Sequence, residues 1–285
     1  MTTATSTPPP SAAGSPLSRR ISNYDFLLRR LHSLSGILPI GLFVIGHLFT
    51  NAQMAFPDKG ETFQHEVDFI HSIPGLLIIE MTLWASIAFH AIVGIWITMT
   101  GRSNTSKYLY GANIRYTLQR VTGIIAIVFI FLHVATLRWR WPIFDWFTPF
   151  YAHHQMNTDA VAELSHDHTG VPMSMPLTAY ALQISWLVVV LYFVGVISSV
   201  FHWCNGLWTA AITWGLTISR ASMRRWGYVC AGLFAALMVF FLAAMWGALS
   251  YDIGQDTTDE QLAAFMDIVD GQPKIPIDTS GRASR

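Results

Sequence analysis

Charged side chains are scarce in this sequence. They make up 12% of the 285 residues, whereas hydrophobic residues make up 52%. Soluble domains usually carry about 25% charged residues, so the composition argues against a soluble domain and favours a membrane protein. The 17 basic and 17 acidic residues cancel, and this lack of net positive charge removes any argument for nucleic acid as a partner.

Cysteine is rare as well. The two cysteines, Cys204 and Cys230, lie in or beside apolar segments, and the sequence contains no Cys-x-x-Cys. This argues against a disulfide framework, a cysteine-based zinc site and a covalently attached c-type haem. The N-terminus lacks the apolar stretch of a cleaved signal peptide and is rich in Thr, Pro, Ser and Ala. We therefore predict that residues 1–22 form a disordered tail.

Long apolar runs, by contrast, are abundant. A helix needs about 20 apolar residues to cross a hydrocarbon core of about 30 Å, and five segments are long enough. They are Leu31–Phe56, Pro74–Thr100, Tyr116–Leu137, Leu177–Asn205 and Trp226–Tyr251. The predicted fold class is all-α, a polytopic membrane protein with five transmembrane helices in a bundle. The apolar stretch Gly206–Ser219 is too short to span again, so it extends the fourth helix or lies along the interface.

Basic residues are unevenly distributed between the connections. With the N-terminus inside, 11 of the 17 Lys and Arg residues lie on the inner side, and of the 17 acids only Asp25 does. Since cytoplasmic loops carry the excess of Lys and Arg, we predict a cytoplasmic N-terminus and an outer C-terminus. The predicted organisation is a membrane domain over residues 23–251 and a polar, acidic tail over residues 252–285. One apolar patch in that tail, Leu262–Val269, indicates a short surface helix.

Four histidines stand inside the apolar segments, one on each of the first four. They are His47, His90, His133 and His202. A polar side chain in hydrocarbon is costly unless it faces a partner or a cavity, and imidazole is a common ligand of haem iron. Depths estimated at about 1.5 Å per residue sort the four into an inner pair, His90 with His202, and an outer pair, His47 with His133. Two bis-histidine b-type haems would need such an arrangement.

Glycines and arginines near these histidines allow two interpretations each. Small residues would make room for a flat macrocycle or would serve ordinary close helix packing; they are Gly36, Gly94, Gly123, Gly195 and Gly206. Arginines at the inner helix ends would bind haem propionates by charge-assisted hydrogen bonds or would only satisfy the positive-inside bias; they are Arg29, Arg30, Arg115 and Arg120.

The connection from Arg138 to Pro176 is long and rich in histidine. It carries His153, His154, His166 and His168. A metal site in this connection is one interpretation, and a solvated histidine-rich loop is the preferred one.

Several motifs resemble the cytochrome b558 subunit of succinate dehydrogenase. The similar stretches are Phe26–Gly36, Gly46–Leu48, Phe89–Gly94, Leu118–Gly123 with His133 ten residues on, and Phe201–Trp208. The resemblance extends over roughly Tyr24 to Tyr251. It implies a five-helix anchor with two haems b, ligated by His90 with His202 and by His47 with His133. It also implies a flavoprotein and an iron–sulfur subunit bound on the cytoplasmic face of a bacterial inner membrane.

The reaction implied by this resemblance begins outside the chain. Succinate is oxidised at the flavin of another subunit, so we expect no succinate-oxidising site here, and electrons then pass through iron–sulfur clusters and the haems to a quinone, typically menaquinone. Close relatives work in reverse as quinol:fumarate reductases. Two other classes stay open: a dihaem cytochrome b of another respiratory oxidoreductase, and a haem-free transporter or structural anchor.

Quinone reduction consumes protons, so carboxylates near the outer pair are candidates for a proton site. Glu66 and Asp68 precede the second apolar segment, where they are proton donors or merely solvated loop acids. Glu80 lies about four residues inside that segment, and a buried glutamate there should be protonated or paired. His32, near the inner end of the first segment, is either an interfacial polar residue or a contact for a propionate or quinone.

Overall fold

The structure is a computed structural model that describes residues 16–100, 111–139, 141–144, 170–269, 273 and 275–280. These residues form helices joined by short connections. Five helices are long and apolar enough to cross a membrane, and we number them spans 1 to 5: Tyr24–Ala55, Leu76–Thr100, Asn113–Leu137, Trp186–Thr213 and Arg220–Ser250. The predicted all-α fold with five membrane-spanning helices is confirmed.

Span 1 belongs to a helix that begins earlier than the sequence indicated. Its α-helix runs from Pro16 to Ser35, so residues 16–22 of the predicted tail are helical. Proline is favoured at the first helical position, where its missing N–H has no intrahelical acceptor. Residues 1–15 lie outside the described part of the chain.

Span 1 is also interrupted near its middle. A π-helical turn, Gly36–Ile40, separates the first α-helix from a second one, Gly41–Ala52, which ends in the short 3-10 turn Gln53–Ala55. Pro39 lies inside the π turn, and a proline cannot donate the hydrogen bond that a regular helix requires there. The helix before the turn packs against span 2, whereas the helix after it packs against span 5.

The remaining spans are uninterrupted. Span 2 is the helix Leu76–Thr100, span 3 belongs to the helix Gly111–Leu137, span 4 is Trp186–Thr213 and span 5 is Arg220–Ser250. Span 3 packs most extensively on span 4, which also packs on span 5. Large apolar side chains point outward from the bundle, including Met99 and Ile78, which are 80% and 73% exposed. A lipid-facing surface has this character.

Span 4 differs from its predicted bounds, Leu177–Asn205, at both ends. The hydroxyl of Ser185 accepts a hydrogen bond from the backbone N–H of Leu187 at 3.2 Å and caps a new helix there. The apolar run is thereby divided, and its first part forms the separate helix Ser174–Gln183. At the other end the helix continues to Thr213. An extension of the fourth helix was one of the two predictions for Gly206–Ser219.

A cap of short helices covers the end of the bundle where spans 1, 3 and 5 end. It consists of Glu61–His71, Ser174–Gln183, Ile253–Asp256 and Asp259–Ile268. The fully buried ring of Phe265 packs edge-on against Tyr180, with ring centroids 5.1 Å apart. The side-chain amide of Gln183 joins the cap to the end of span 5 by donating to two of its backbone carbonyls at 2.8 Å. The acidic stretch after Tyr251 therefore contributes two packed helices.

Candidate functional site: two histidine pairs

The inner pair joins span 2 to span 4. The imidazole ring centroids of His90 and His202 lie 6.0 Å apart, and the ring planes meet at 87°. His90 stands ten residues before the end of span 2 at Thr100, and His202 stands eleven before the end of span 4 at Thr213. Because span 4 is longer than the sequence indicated, the two depths agree more closely than predicted.

A backbone carbonyl of the neighbouring span holds each inner histidine. The Nδ1 of His90 lies 2.9 Å from the carbonyl oxygen of His32, and the Nδ1 of His202 lies 2.9 Å from that of Gln119. A ring nitrogen that faces a carbonyl oxygen must carry the hydrogen, so the Nε2 of each ring keeps the lone pair that binds metal. The backbone thus sets the tautomer of both rings.

A glycine lies under each of these two rings. A methyl group added to Gly36 would lie 2.5 Å from Cε1 of His90, and one added to Gly123 would lie 2.8 Å from Cε1 of His202. Each glycine stands four residues after the carbonyl that accepts the hydrogen bond. Gly94 faces His32 at close range in the same way. The structure therefore uses these three glycines for close packing of imidazoles between spans.

The inner site is one local unit built twice. Phe89–Trp96 and Phe201–Trp208 share the pattern Phe-His-x-x-x-Gly-x-Trp, and Leu31–Gly36 and Leu118–Gly123 share a leucine and a glycine five residues apart. Spans 1 and 2 combine one copy of each motif, and spans 3 and 4 combine the other. Sequence reasoning noted these motifs separately and missed the recurrence, although the common spacing was available to find it.

The outer pair joins span 1 to span 3. The ring centroids of His47 and His133 lie 5.9 Å apart with the planes at 76°. The Nδ1 of His133 lies 3.1 Å from the hydroxyl of Tyr192 on span 4, and Phe129 stacks on the same ring at 5.7 Å between centroids. His47 has Asn51 near its Nδ1, at 3.5 Å. Side chains therefore surround the outer rings. Sequence reasoning missed Tyr192, because only the packing of span 4 on span 3 brings it there.

The separation of the two rings in each pair is compatible with one metal ion between them. A bond between a metal and an imidazole nitrogen is about 2 Å long, so two imidazoles on opposite sides of one metal have centroids roughly 6 Å apart. The observed 6.0 Å and 5.9 Å agree with this value. The donors in each pair are two imidazoles from different spans. Elsewhere in the described residues, no group of three or more metal-ligating side chains offers a competing centre.

The predicted propionate arginines are engaged at the inner end of the bundle. Arg29 pairs with Asp25 at 3.2 Å, and the guanidinium of Arg120 donates to the carbonyl oxygen of Thr98. The guanidinium of Arg30 lies over an aromatic ring, that of Trp214, at 4.6 Å.

The three predicted proton-site carboxylates differ in their surroundings. Glu80 forms an ion pair with Arg138 at 2.9 Å, which agrees with the expectation that a glutamate at this depth is paired. Asp68 accepts a hydrogen bond from the amide of Gln64 at 2.9 Å. Glu66 lies half-buried on the helix Glu61–His71.

His32 packs directly against the inner pair. Its ring stacks on His90 with centroids 3.9 Å apart and planes at 17°. Because it belongs to the immediate surroundings of the inner pair, His32 is part of the candidate site. The histidines His153, His154, His166 and His168 lie outside the described residues.

Fold and site together define a polytopic, all-α membrane protein that carries two facing histidine pairs between its spans. Comparison with known proteins identifies the particular family. The chain is 35% identical over 225 residues to the succinate dehydrogenase cytochrome b558 subunit of Bacillus subtilis, a match that covers 78% of this chain and 96% of that protein. No family model and no solved structure matches. This chain belongs to the family of succinate dehydrogenase cytochrome b558 subunits.

Proposed function

We propose that this chain is the membrane-anchor cytochrome b subunit of a succinate dehydrogenase and conducts electrons from an iron–sulfur subunit to a quinone. The observation that carries the proposal is the pair of histidine sites within a chain of this family. Succinate oxidation belongs to the flavoprotein subunit, so the chain serves the enzyme as a conductor and as an anchor. It needs no succinate site of its own.

Two haems b would be held by the two histidine pairs, one by His90 with His202 and the other by His47 with His133. A haem b at each pair would supply reversible one-electron transfer. The chain's own residues prepare both sites. The carbonyls of His32 and Gln119 orient the inner rings, Tyr192 orients His133, and the apolar spans exclude water.

The inner pair faces the cytoplasm in this proposal. Arginines gather at that end of the bundle, which supports a cytoplasmic location by the positive-inside rule; they are Arg29, Arg30, Arg115, Arg120, Arg220, Arg224 and Arg225. The N-terminus is then cytoplasmic and the C-terminus outside, and the flavoprotein and iron–sulfur subunits bind at the arginine-rich end. Three of these arginines, Arg29, Arg30 and Arg120, are the proposed partners of haem propionates.

The quinone site is proposed at the outer half of the bundle. A cavity of about 620 Å³ opens beside span 2 where span 1 turns away after Ile40, and its walls include Leu77, Met81 and Phe89. Such an apolar cleft suits the isoprenoid chain of menaquinone. Glu66, Asp68 and Glu80 are the proton-site candidates on this side, and Glu66 is the least engaged of the three in the contacts described above.

Spectroscopy and co-purification test the proposal. A reduced-minus-oxidised spectrum of membranes containing the chain should show a b-type band, and succinate should reduce it when the partner subunits are present. Absence of the band would leave the haem-free alternative. A band that succinate cannot reduce, with co-purification of a different dehydrogenase, would assign the chain to another respiratory enzyme. A flavoprotein that favours fumarate reduction would indicate the quinol:fumarate reductase alternative.

A further inference from the structure

A second cavity, of about 540 Å³, lies at the arginine-rich end of the bundle. It is formed where the beginnings of spans 3 and 5 meet the end of span 4. The side chains that define it are Arg115, Trp208, Arg220, Met223, Arg224 and Tyr228. We call it the arginine cavity. None of the four paired histidines lines the arginine cavity, so the cavity has no role in the proposed electron path.

Positive charge converges on this cavity, and none of the described carboxylates pairs with it. Three of its lining residues are arginines, from spans 3 and 5, and no carboxylate belongs to its described lining. The ion pairs found in the described residues involve Arg29, Lys59 and Arg138 instead. The cavity also adjoins the beginning of span 5, where the helix dipole adds partial positive charge.

Contacts of Trp208 stabilise the wall of the cavity. The guanidinium of Arg115 lies 4.1 Å from the ring centroid of Trp208. The indole N–H of Trp208 donates to the carbonyl oxygen of Met223 at 3.0 Å and ties span 4 to span 5. Arg115 is half-buried and stacked, so its charge is directed toward the cavity. For the same reason its side chain loses little conformational freedom when it binds an anion.

The cavity changes in character with depth in the membrane. On span 5 its lining residues follow one helix face: Arg220, Met223, Arg224, Gly227, Tyr228 and Ala231. Eleven residues of helix span about 16 Å. The two arginines of span 5 occupy only its first two turns, where Met223 lies between them, and Gly227, Tyr228 and Ala231 continue the same face into the next turns. The surface therefore pairs a cationic end with an apolar groove. A phospholipid has the complementary distribution, with an anionic head above acyl chains.

We propose that the arginine cavity binds an anionic phospholipid, phosphatidylglycerol or its dimeric form cardiolipin. The phosphate lies among Arg115, Arg220 and Arg224, and an acyl chain follows Met223, Gly227 and Ala231. Arginine forms bidentate hydrogen bonds to phosphate, and basic pockets between membrane helices on the cytoplasmic side bind such head groups. A soluble partner subunit could neutralise the arginines, but it could not fill the part of the groove that lies in hydrocarbon. The proposal requires neither haem nor partner subunits.

Native mass spectrometry of the purified, delipidated full-length protein tests this site. Titration with dioleoylphosphatidylglycerol should yield one tightly bound lipid, and dioleoylphosphatidylcholine should bind at least tenfold more weakly. Each arginine near the surface contributes a factor of about five. The variant R115Q/R220Q/R224Q should therefore bind phosphatidylglycerol about a hundredfold more weakly. Arg225→Gln, an exposed arginine one residue from Arg224 and outside the cavity, should change the affinity less than twofold.

A second variant tests the contribution of the apolar groove to lipid binding separately from that of the arginines. Met223→Trp keeps all three arginines but fills the groove, and it should weaken phosphatidylglycerol binding at least tenfold. Inorganic phosphate at equal concentration should not displace the lipid, because it lacks the acyl chain. Equal loss in R225Q and the triple variant, equal binding of phosphatidylcholine, or displacement by inorganic phosphate would each overturn the proposal. A parallel purification of the triple variant with its partner subunits separates the two occupants: retention of the lipid together with loss of the partner subunits would overturn the proposal in favour of a protein contact.

Discussion

The Nδ1 of His90 lies 2.9 Å from the carbonyl oxygen of His32, and His202 stands in the same relationship to Gln119. The same kind of hydrogen bond, from an imidazole to a backbone carbonyl, is therefore made twice and orients both rings of the inner pair. This carbonyl belongs to the backbone of a packed helix, so no side-chain substitution removes it and it cannot rotate away from the ring. The inner pair is consequently set by the packing of span 1 on span 2 and of span 3 on span 4.

Replacing a histidine of one pair should remove one haem and leave the other. His90→Leu or His202→Leu should abolish the inner haem signal, and His47→Leu or His133→Leu the outer one, because each iron requires both imidazoles of its pair. Redox titration of the b-type absorbance resolves the two components. Persistence of both components in H90L and H202L would refute the pairing. His65→Leu, on the cap helix, is the control and should keep both.

Adding a methyl group under an inner ring should displace that ring. Gly36→Ala places a carbon 2.5 Å from the ring of His90, and Gly123→Ala places one 2.8 Å from that of His202. Overpacking of this kind costs about 1–3 kcal/mol. We expect weaker retention of the inner haem and a lower unfolding temperature. Gly232→Ala, with nothing within 4 Å of the added carbon, should bind both haems normally; equal haem loss in this control would contradict the interpretation.

Removing the hydroxyl of Tyr192 should alter the outer haem alone. The hydroxyl oxygen lies 3.1 Å from the Nδ1 of His133. If the Nε2 of His133 binds iron as proposed, the Nδ1 carries the hydrogen and donates it to this hydroxyl, which strengthens the imidazole as a ligand and favours the oxidised metal. Tyr192→Phe should change the ratio of reduced to oxidised outer haem at a given potential about threefold. For a one-electron couple this is an upward shift of about 30 mV. Tyr180→Phe, in the cap, is the matched control, and equal shifts in both variants would assign the effect to general destabilisation.

The ion pair between Glu80 and Arg138 should stabilise the outer ends of spans 2 and 3. Their side chains are 28% and 38% exposed, so water screens part of the attraction and the coupling should be about 1 kcal/mol or less. Glu80→Gln and Arg138→Gln should each lower the unfolding temperature, and the double variant should fall little further. Strict additivity would exclude the coupling. Slower quinone reduction in E80Q than in R138Q would instead give Glu80 a role in proton delivery.

Asp58 should make the cap sensitive to acid. Burial raises the pKa of its carboxyl, but hydrogen bonds from Thr62 and from the backbone N–H of Gly60 outweigh this and hold the pKa below its ordinary value of 3.8. Because the pKa of Asp58 is lower in the folded state than in the unfolded state, its charged carboxylate stabilises the folded state at any pH above the unfolded-state pKa. This stabilisation is lost as the pH falls through the folded-state pKa. Asp58→Ala should cost about 0.5–1 kcal/mol at pH 7.

Unfolding at neutral and acidic pH measures this effect. The stability difference between the native protein and Asp58→Ala should shrink as the pH falls below about 4. Asp58→Asn is the control, since it keeps an acceptor oxygen but cannot titrate, and its difference from Asp58→Ala should stay constant. A pH-independent difference between the native protein and Asp58→Ala would show that the charge of Asp58 does not contribute.

Local composition determined the number of membrane helices. Apolar runs of sufficient length specify spans wherever they occur, because unsatisfied backbone groups are not tolerated in hydrocarbon. The exception was Leu177–Asn205, where hydropathy could not distinguish a membrane helix from a buried cap helix. Both are apolar, and a single capping serine, Ser185, separates them.

The sequence alone determined that four spans each carry one of the paired histidines, and it placed them at approximate depths, because helix rise converts position into depth. The tertiary structure decided which groups surround them. It placed Gly36 and Gly123 under rings of neighbouring spans, stacked His32 on His90 and brought Tyr192 to His133. These contacts depend on how the helices are rotated and how closely they approach. Packing between distant segments sets both quantities, and no local pattern along the chain encodes them.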